Sequence, residues 1–168
     1  VSEIESEAFA DNNLNSVTFP DDLYAISSGT FRNNRLTEII IPNSINYIGF
    51  GAFENNSIEE LTLPNSLSSI YARAFSNNKL TSVTIPNSIS EIKELVFSLN
   101  QLTAVTIPNS ITTIGDSAFA SNKLETINIP NSVSSIGSYA FKDNKLSNLE
   151  IPSSINKINQ ETFSINLL

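Results

Sequence analysis

LTAVTIPNSITTIGDSAFASN, residues 102–122, returns along the whole chain with a step of 22. Phenylalanine recurs at Phe9, Phe31, Phe53, Phe75, Phe97, Phe119, Phe141 and Phe163. Proline occurs only at Pro20, Pro42, Pro64, Pro86, Pro108, Pro130 and Pro152, in the same phase. Asparagine follows each of those phenylalanines by three residues, at Asn12, Asn34, Asn56, Asn78, Asn100, Asn122, Asn144 and Asn166. Self-similarity at a fixed period of this length is the signature of a solenoid, in which each repeat covers its neighbour's apolar face. The register is never broken, so all coils should be nearly the same size.

Local chemistry assigns the parts of one coil. Val105 and Ile107 alternate with Thr106, the period of two that a half-buried strand requires. Pro108 ends the strand because it has no N–H to give to a ladder. Asn109 and Ser110 supply turn chemistry, and Ile111 and Ile114 resume the inward pattern in a second extended segment. Gly115 permits a tight bend, and Ser117-Ala118-Phe119 reads as a short helical or 3₁₀ turn. About eight positions per coil then face inward, too many for one coil to bury, and stacking buries them. The expected fold is a repeat solenoid of about seven and a half coils over residues 1–168. A parallel β-sheet at ~4.8 Å spacing lines its concave face, giving a body on the order of 35–40 Å long.

Two columns are expected to be structural. Phe31, Phe53, Phe75, Phe97, Phe119 and Phe141 should rest on one another in series. Asn34, Asn56, Asn78, Asn100, Asn122 and Asn144 should form a buried amide ladder, bonding loop N–H and C=O groups of their own coil and the next.

Composition narrows the function. The chain has no Cys and no His, which removes thiolate nucleophiles, zinc–sulfur sites, the commonest general base and the commonest metal ligand. The net charge is −8, and no Lys/Arg cluster is present to meet nucleic-acid phosphates or an anionic membrane surface. No apolar run approaches transmembrane length. No phosphate-binding loop or cofactor motif is present, so neither an enzyme nor a cofactor is expected. The first residue is Val, and neither end has an atypical capping repeat. The expectation is a processed chain or a fragment of a longer protein, or ends that associate with another copy.

The strings Leu80–Ile92, Leu102–Asn122 and Leu124–Asn144, with L-x-x-V-T-I-P-N-S-I-x-x-I followed by A-F and N, resemble the BspA-like leucine-rich-repeat family of bacterial and protozoan surface proteins. The resemblance covers the whole chain and is loosest in the first repeats. It implies a leucine-rich-repeat-like right-handed coil. It also implies a secreted or cell-surface protein that adheres to proteins, matrix or other cells, and no catalytic residues. The family more often carries Cys where this chain carries its repeated Asn.

Function must then sit on outward positions and on departures from the repeat. The outward strand residues pair as Ser16/Thr18, Glu38/Ile40, Glu60/Thr62, Ser82/Thr84, Ala104/Thr106, Thr126/Asn128 and Asn148/Glu150. This stripe reads either as a solvated sheet or as an extended protein- or glycan-binding face. Its candidate contacts are Glu38, Ile40, Glu60, Thr62, Thr84 and Thr106. Glu38 and Glu60 stand one coil apart, a separation compatible with a retaining glycosidase pair, although a smooth solenoid offers no cleft. The threonine file also suggests an ice-binding surface, interrupted by Ile40, Asn128 and Glu150. Tyr24, Tyr47, Phe50 and Tyr71 take up normally polar positions after Pro and form a second candidate patch, since Tyr is a frequent interface anchor. Tyr139, Leu95 and Leu99 are further apolar departures. Glu3, Glu5, Glu7, Asp11, Asp21 and Asp22 make the first coil acidic, either as a solvated end or as a calcium site. The leading expectation is a non-catalytic module binding a protein or glycan, and the alternative is a structural spacer or self-assembling scaffold.

Overall fold

The computed structural model describes residues 1–168. It is a solenoid of parallel strands joined by turns, without helix. Three-residue strands occupy the V-T-I segment at β2 (Glu38–Ile40), β4 (Glu60–Thr62), β6 (Ser82–Thr84) and β8 (Ala104–Thr106). Two-residue strands occupy the segment after proline at β1 (Ala25–Ile26), β3 (Tyr47–Ile48), β5 (Ser69–Ile70), β7 (Glu91–Ile92), β9 (Thr113–Ile114) and β10 (Ser135–Ile136). Every pair is parallel and offset by one repeat. Ile39 faces Leu61 and Val83 faces Val105 on the first side, while Ile26, Ile48 and Ile70 align on the second.

Strand pairing runs through about five turns, fewer than the seven and a half coils that the columns suggest. Past β8 the V-T-I segment becomes Glu125-Thr126-Ile127-Asn128 and then Asn148-Leu149-Glu150, which do not form strands. Asn and Glu replace the β-branched residue that favours a pleated, half-exposed strand. The stacking itself continues to both ends. Successive Phe rings from Phe9 to Phe163 lie nearly parallel, with centroids 5.4 to 5.9 Å apart. The six inner rings, Phe31 to Phe141, belong to one continuous apolar core with the inward Ile, Leu, Val and Ala residues, and Phe163 packs against its end.

The Ala–Phe segment is not 3₁₀. It is a run of turns whose amides alternate: Ala52, Glu54, Ala118 and Ala120 donate to the carbonyl three residues back, while Phe53, Asn55, Phe119 and Ser121 donate to the following coil. Phe53 N donates to Ala74 O at 2.9 Å and Phe97 N to Ala118 O at 3.0 Å, each toward the following coil. The strand sides donate the other way, as in Thr103 N to Thr81 O at 2.9 Å and Gly115 N to Ile92 O at 2.7 Å. A third ladder therefore closes the coil and satisfies backbone groups that a helix would have satisfied internally. The cost is conformational. Residues two before and two after each Phe take positive φ. Gly29, Gly51, Asn33, Asn55 and Asn77 adopt that region with little strain, whereas Leu95, Leu99 and Ile165 are held there at roughly 1–2 kcal/mol each.

The amide ladder lies inside the coils and points backward along the chain. Asn100 Nδ2 donates to Phe75 O of the preceding coil at 2.9 Å and to its own Phe97 O at 3.2 Å. Its Oδ1 accepts from Leu80 N, also of the preceding coil, at 3.0 Å. Asn34, Asn56, Asn78, Asn122 and Asn144 repeat this set. The partner expected in the next coil is instead in the previous one. The side chain leaves the coil near its closing turn, where the adjacent Phe carbonyl and Leu amide behind it are the groups without strand partners.

Candidate functional site

The residues singled out from the sequence lie on two different sides of the solenoid, so they do not form one surface. Glu38, Ile40, Glu60, Thr62, Thr84 and Thr106 lie on the V-T-I strands, all exposed. Glu38 is in register with Glu60, Ile40 with Thr62, and Thr84 with Thr106. Two shallow depressions line this side. One, about 480 Å³, has Glu38 and Ile40 in its wall; the other, about 380 Å³, has Thr62 and Thr84. Glu60 lines neither, so the two carboxylates share no pocket that could seat a sugar between them, as a glycosidase pair requires. Ile40, 80% exposed, stands within the threonine file. It breaks the flat row of hydroxyls that an ordered water layer would need.

The second sheet, β1–β3–β5, carries the tyrosines. Tyr47 is in register with Ala25 and Ser69, and alternation sends Ile48 inward and Tyr47 outward. Tyr24 precedes β1, and Tyr71 follows β5 at the phase that Gly49 and Gly115 fill in other coils. A Cβ at Gly49 would stand 2.6 Å from Ser28 N, so the glycine coils approach each other closely there. Tyr71 keeps the equivalent bond, Tyr71 N to Ile48 O, at 2.9 Å against 2.7 Å for Gly49 N to Ile26 O.

These offsets bring the three rings together. Tyr24 and Tyr47 meet edge to face with centroids 6.2 Å apart and planes at 79°; Tyr47 and Tyr71 meet likewise at 6.1 Å and 75°. Both arrangements are favourable for ring quadrupoles. The outer rings stay open, Tyr24 at 59% and Tyr71 at 49% exposure. Phe50 is 44% exposed on the adjoining turn but is in ring contact with none of the three. The polar side chains beside the row are already used. Asn46 Oδ1 accepts from Ser68 Oγ at 2.7 Å, and Asn46 Nδ2 donates to Ser66 O at 3.4 Å.

The acidic first coil does not assemble a cation site: no three carboxylates are grouped so that they could hold a metal ion. Glu7 is instead paired with Arg32 at 3.1 Å. Asp11 starts a surface row that the sequence reading overlooked, in which Asn33 donates to Asp11, Asn55 to Asn33 and Asn77 to Asn55 at 2.6 to 2.8 Å. Its signal was present, since these asparagines also step by 22, but the Asn-Asn pairs at 33–34, 55–56 and 77–78 drew attention only to their buried members. Leu99 replaces the next amide and ends the row. A second cluster also went unnoticed. Lys142 lies 5.1 Å over the Tyr139 ring and donates to Glu161 at 2.6 Å. That hydrogen bond, with the charge attraction behind it, raises the Lys142 pKa and lowers that of Glu161.

The model of the BspA type leucine rich repeat region matches in 6 copies over residues 2–123 and 96–168. No curated protein matches the sequence significantly. Among solved structures, a leucine-rich repeat protein from Bacteroides ovatus is similar at TM-score 0.65 and 24% identity, over 90% of this chain and 48% of that one. A Shigella effector LRR domain is similar at TM-score 0.51 and 19% identity, over 69% of this chain and 49% of its own. A leucine rich cell surface protein from Faecalibacterium prausnitzii gives TM-score 0.46 and 20% identity, over 98% of this chain and 61% of that one. The chain thus spans roughly half to three-fifths of each of these longer chains, and the likeness is one of fold.

Proposed function

The chain belongs to the BspA-type leucine-rich-repeat family, and we propose that it is a non-catalytic recognition module of a secreted or cell-surface protein, taking a protein or glycan ligand on its tyrosine-bearing sheet. The observation that carries this reading is the Tyr24–Tyr47–Tyr71 row. Three aromatic residues depart from the repeat in three successive coils, meet ring to ring, and leave their outer rings open on a sheet fixed by the coils beneath. Large rigid side chains of this kind lose little freedom on binding and anchor many interfaces. Nothing in the packing of the core calls for them, because β7, β9 and β10 keep the same backbone with Glu91, Thr113 and Ser135 in Tyr47's place.

A binding array of matrix proteins and glycans tests the reading. The wild-type chain should retain one or more ligands, and the double variant Tyr47→Ser/Phe50→Ser should lose them while still folded. An unchanged binding profile would refute the assignment of this face. The control Thr84→Ala/Thr106→Ala on the other sheet should leave the profile intact.

A further inference from the structure

We infer that the tyrosine row docks an extended segment of a partner protein bearing lysine or arginine at alternate positions. The inference rests on the row being a binding site and adds the ligand's chemistry, which the surrounding charges supply. Glu3 stands one repeat before Ala25 and Glu5 one repeat before Ser27, so both lie on the tyrosine sheet's side in the preceding coil. The bond from Ser27 Oγ to Ile4 O at 2.6 Å fixes that coil against β1. Asp21 and Asp22 form the turn that leads into Tyr24, with Asp21 at the corner where it also lines the Glu38–Ile40 depression. All four carboxylates are exposed, and none takes part in an ion pair. The nearby bases are occupied elsewhere. Arg32 is held by Glu7 and Arg73 by Glu54 on the turn side, and Lys93, at Tyr71's phase in the next coil, is held by Glu91.

The face therefore presents open rings inside a field of uncompensated negative charge. A cation over a ring is attracted by the ring's quadrupole, and neighbouring carboxylates strengthen that attraction and repel anionic ligands. The chain already contains such a contact in Lys142 over Tyr139 at 5.1 Å. A neutral sugar fits less well. It needs free amides and hydroxyls to orient it, and Asn46 and Ser68 beside the rings are bonded to each other. Spacing agrees with an extended peptide. Side chains two residues apart on a strand are about 6.6–6.8 Å apart, close to the 6.2 and 6.1 Å steps between rings.

The test uses the full chain and a fluorescein-labelled peptide of alternating arginine and serine, followed by anisotropy. A glutamate–serine peptide and a neutral maltooligosaccharide are the comparison ligands. The arginine peptide should bind in preference to both. Tyr24→Ser/Tyr47→Ser, which leaves net charge unchanged, should weaken it about tenfold or more. Asp21→Asn/Asp22→Asn should weaken it several-fold and flatten its salt dependence. Tyr139→Ser, away from the row, should have no effect, and circular dichroism would confirm that each variant is folded. Absence of binding, or equal binding by wild type and the tyrosine double variant, would overturn the inference, the latter showing attraction by overall charge alone. Tyrosine-dependent binding of the neutral sugar instead would overturn the basic-segment reading and leave the row standing as a binding site.

Discussion

The turn that carries Phe75 and Asn78 and the sheet that carries Tyr47 belong to neighbouring coils, yet they constrain their side chains in opposite ways. Phe75 is sealed between Phe53 and Phe97, and Asn78 must reach carbonyls in two coils and accept an amide from one of them. Every coil of this chain repeats the same cavity and the same donors and acceptors, so neither column varies along it. Tyr47 needs only to suit an extended backbone on the outward side, a condition that Glu91 and Thr113 also meet. Constant columns in a solenoid thus mark what the stack requires, and departures at outward positions mark what it leaves free for recognition.

Substitutions on the two sides should separate the classes by size. Phe75→Ala, which opens a void inside the ring stack, should lower unfolding free energy by about 3–5 kcal/mol, measured by urea denaturation. Asn78→Leu and Asn100→Leu should each cost about 2 kcal/mol or more, because buried carbonyl and amide groups lose their partners. Equal stability to wild type in these variants would break the comparison. On the outer edge of the same turns the sign should reverse. Leu99→Asn relieves a strained positive φ and places an amide beside Asn77 at the end of the surface row. It should raise stability by about 1 kcal/mol, read as a higher urea midpoint. Tyr47→Ser removes half-buried ring contacts with Tyr24 and Tyr71 outside the core and should cost less than about 1 kcal/mol.

The smallest effect belongs to the exposed Lys142–Glu161 pair, and its sign follows from the two shifts. Glu161 is lowered, so its contribution is present above the unfolded-state value and is lost as pH falls through the folded-state one. Lys142 is raised, so its contribution is present below its unfolded-state value and is lost as pH rises through the folded-state one. The stability difference between wild type and Lys142→Gln should therefore exist at neutral pH, shrink as acid protonates Glu161 below the usual carboxylate range, and be reduced by about 1 M salt.

Much of the fold was legible because the repeat makes its demands visible. A 22-residue step in Phe, Pro and Asn leaves few arrangements other than stacked coils; the first strand segment follows from alternation around Thr106, and the second from the inward pair Ile111 and Ile114. Three features were not legible. The Ala–Phe turn gives every second amide to the following coil, as Ser117 and Phe119 do, which a local reading of Ser117-Ala118-Phe119 as 3₁₀ could not reveal. The Asn ladder points to the preceding coil because of where the chain bends. Strand pairing fades where Asn128 and Glu150 replace Thr, a matter of local propensity that the intact register conceals. As for the candidate site, the tyrosines could be named from their departures, but their phases after proline differ, and only the packed coils show that the three rings meet. The same packing shows that Ile40 and the threonines lie on another sheet.

The most direct measurement pairs stability with recognition in one variant, Tyr24→Ser/Tyr47→Ser/Tyr71→Ser. Urea unfolding and binding to whatever ligand the wild-type chain retains on the array would be read on the same preparation. The account predicts a cooperative unfolding curve displaced by no more than a few kcal/mol, about 1 per ring at most, together with loss of binding. A variant that fails to fold would make the row part of the core, and one that folds and still binds would place recognition on another face.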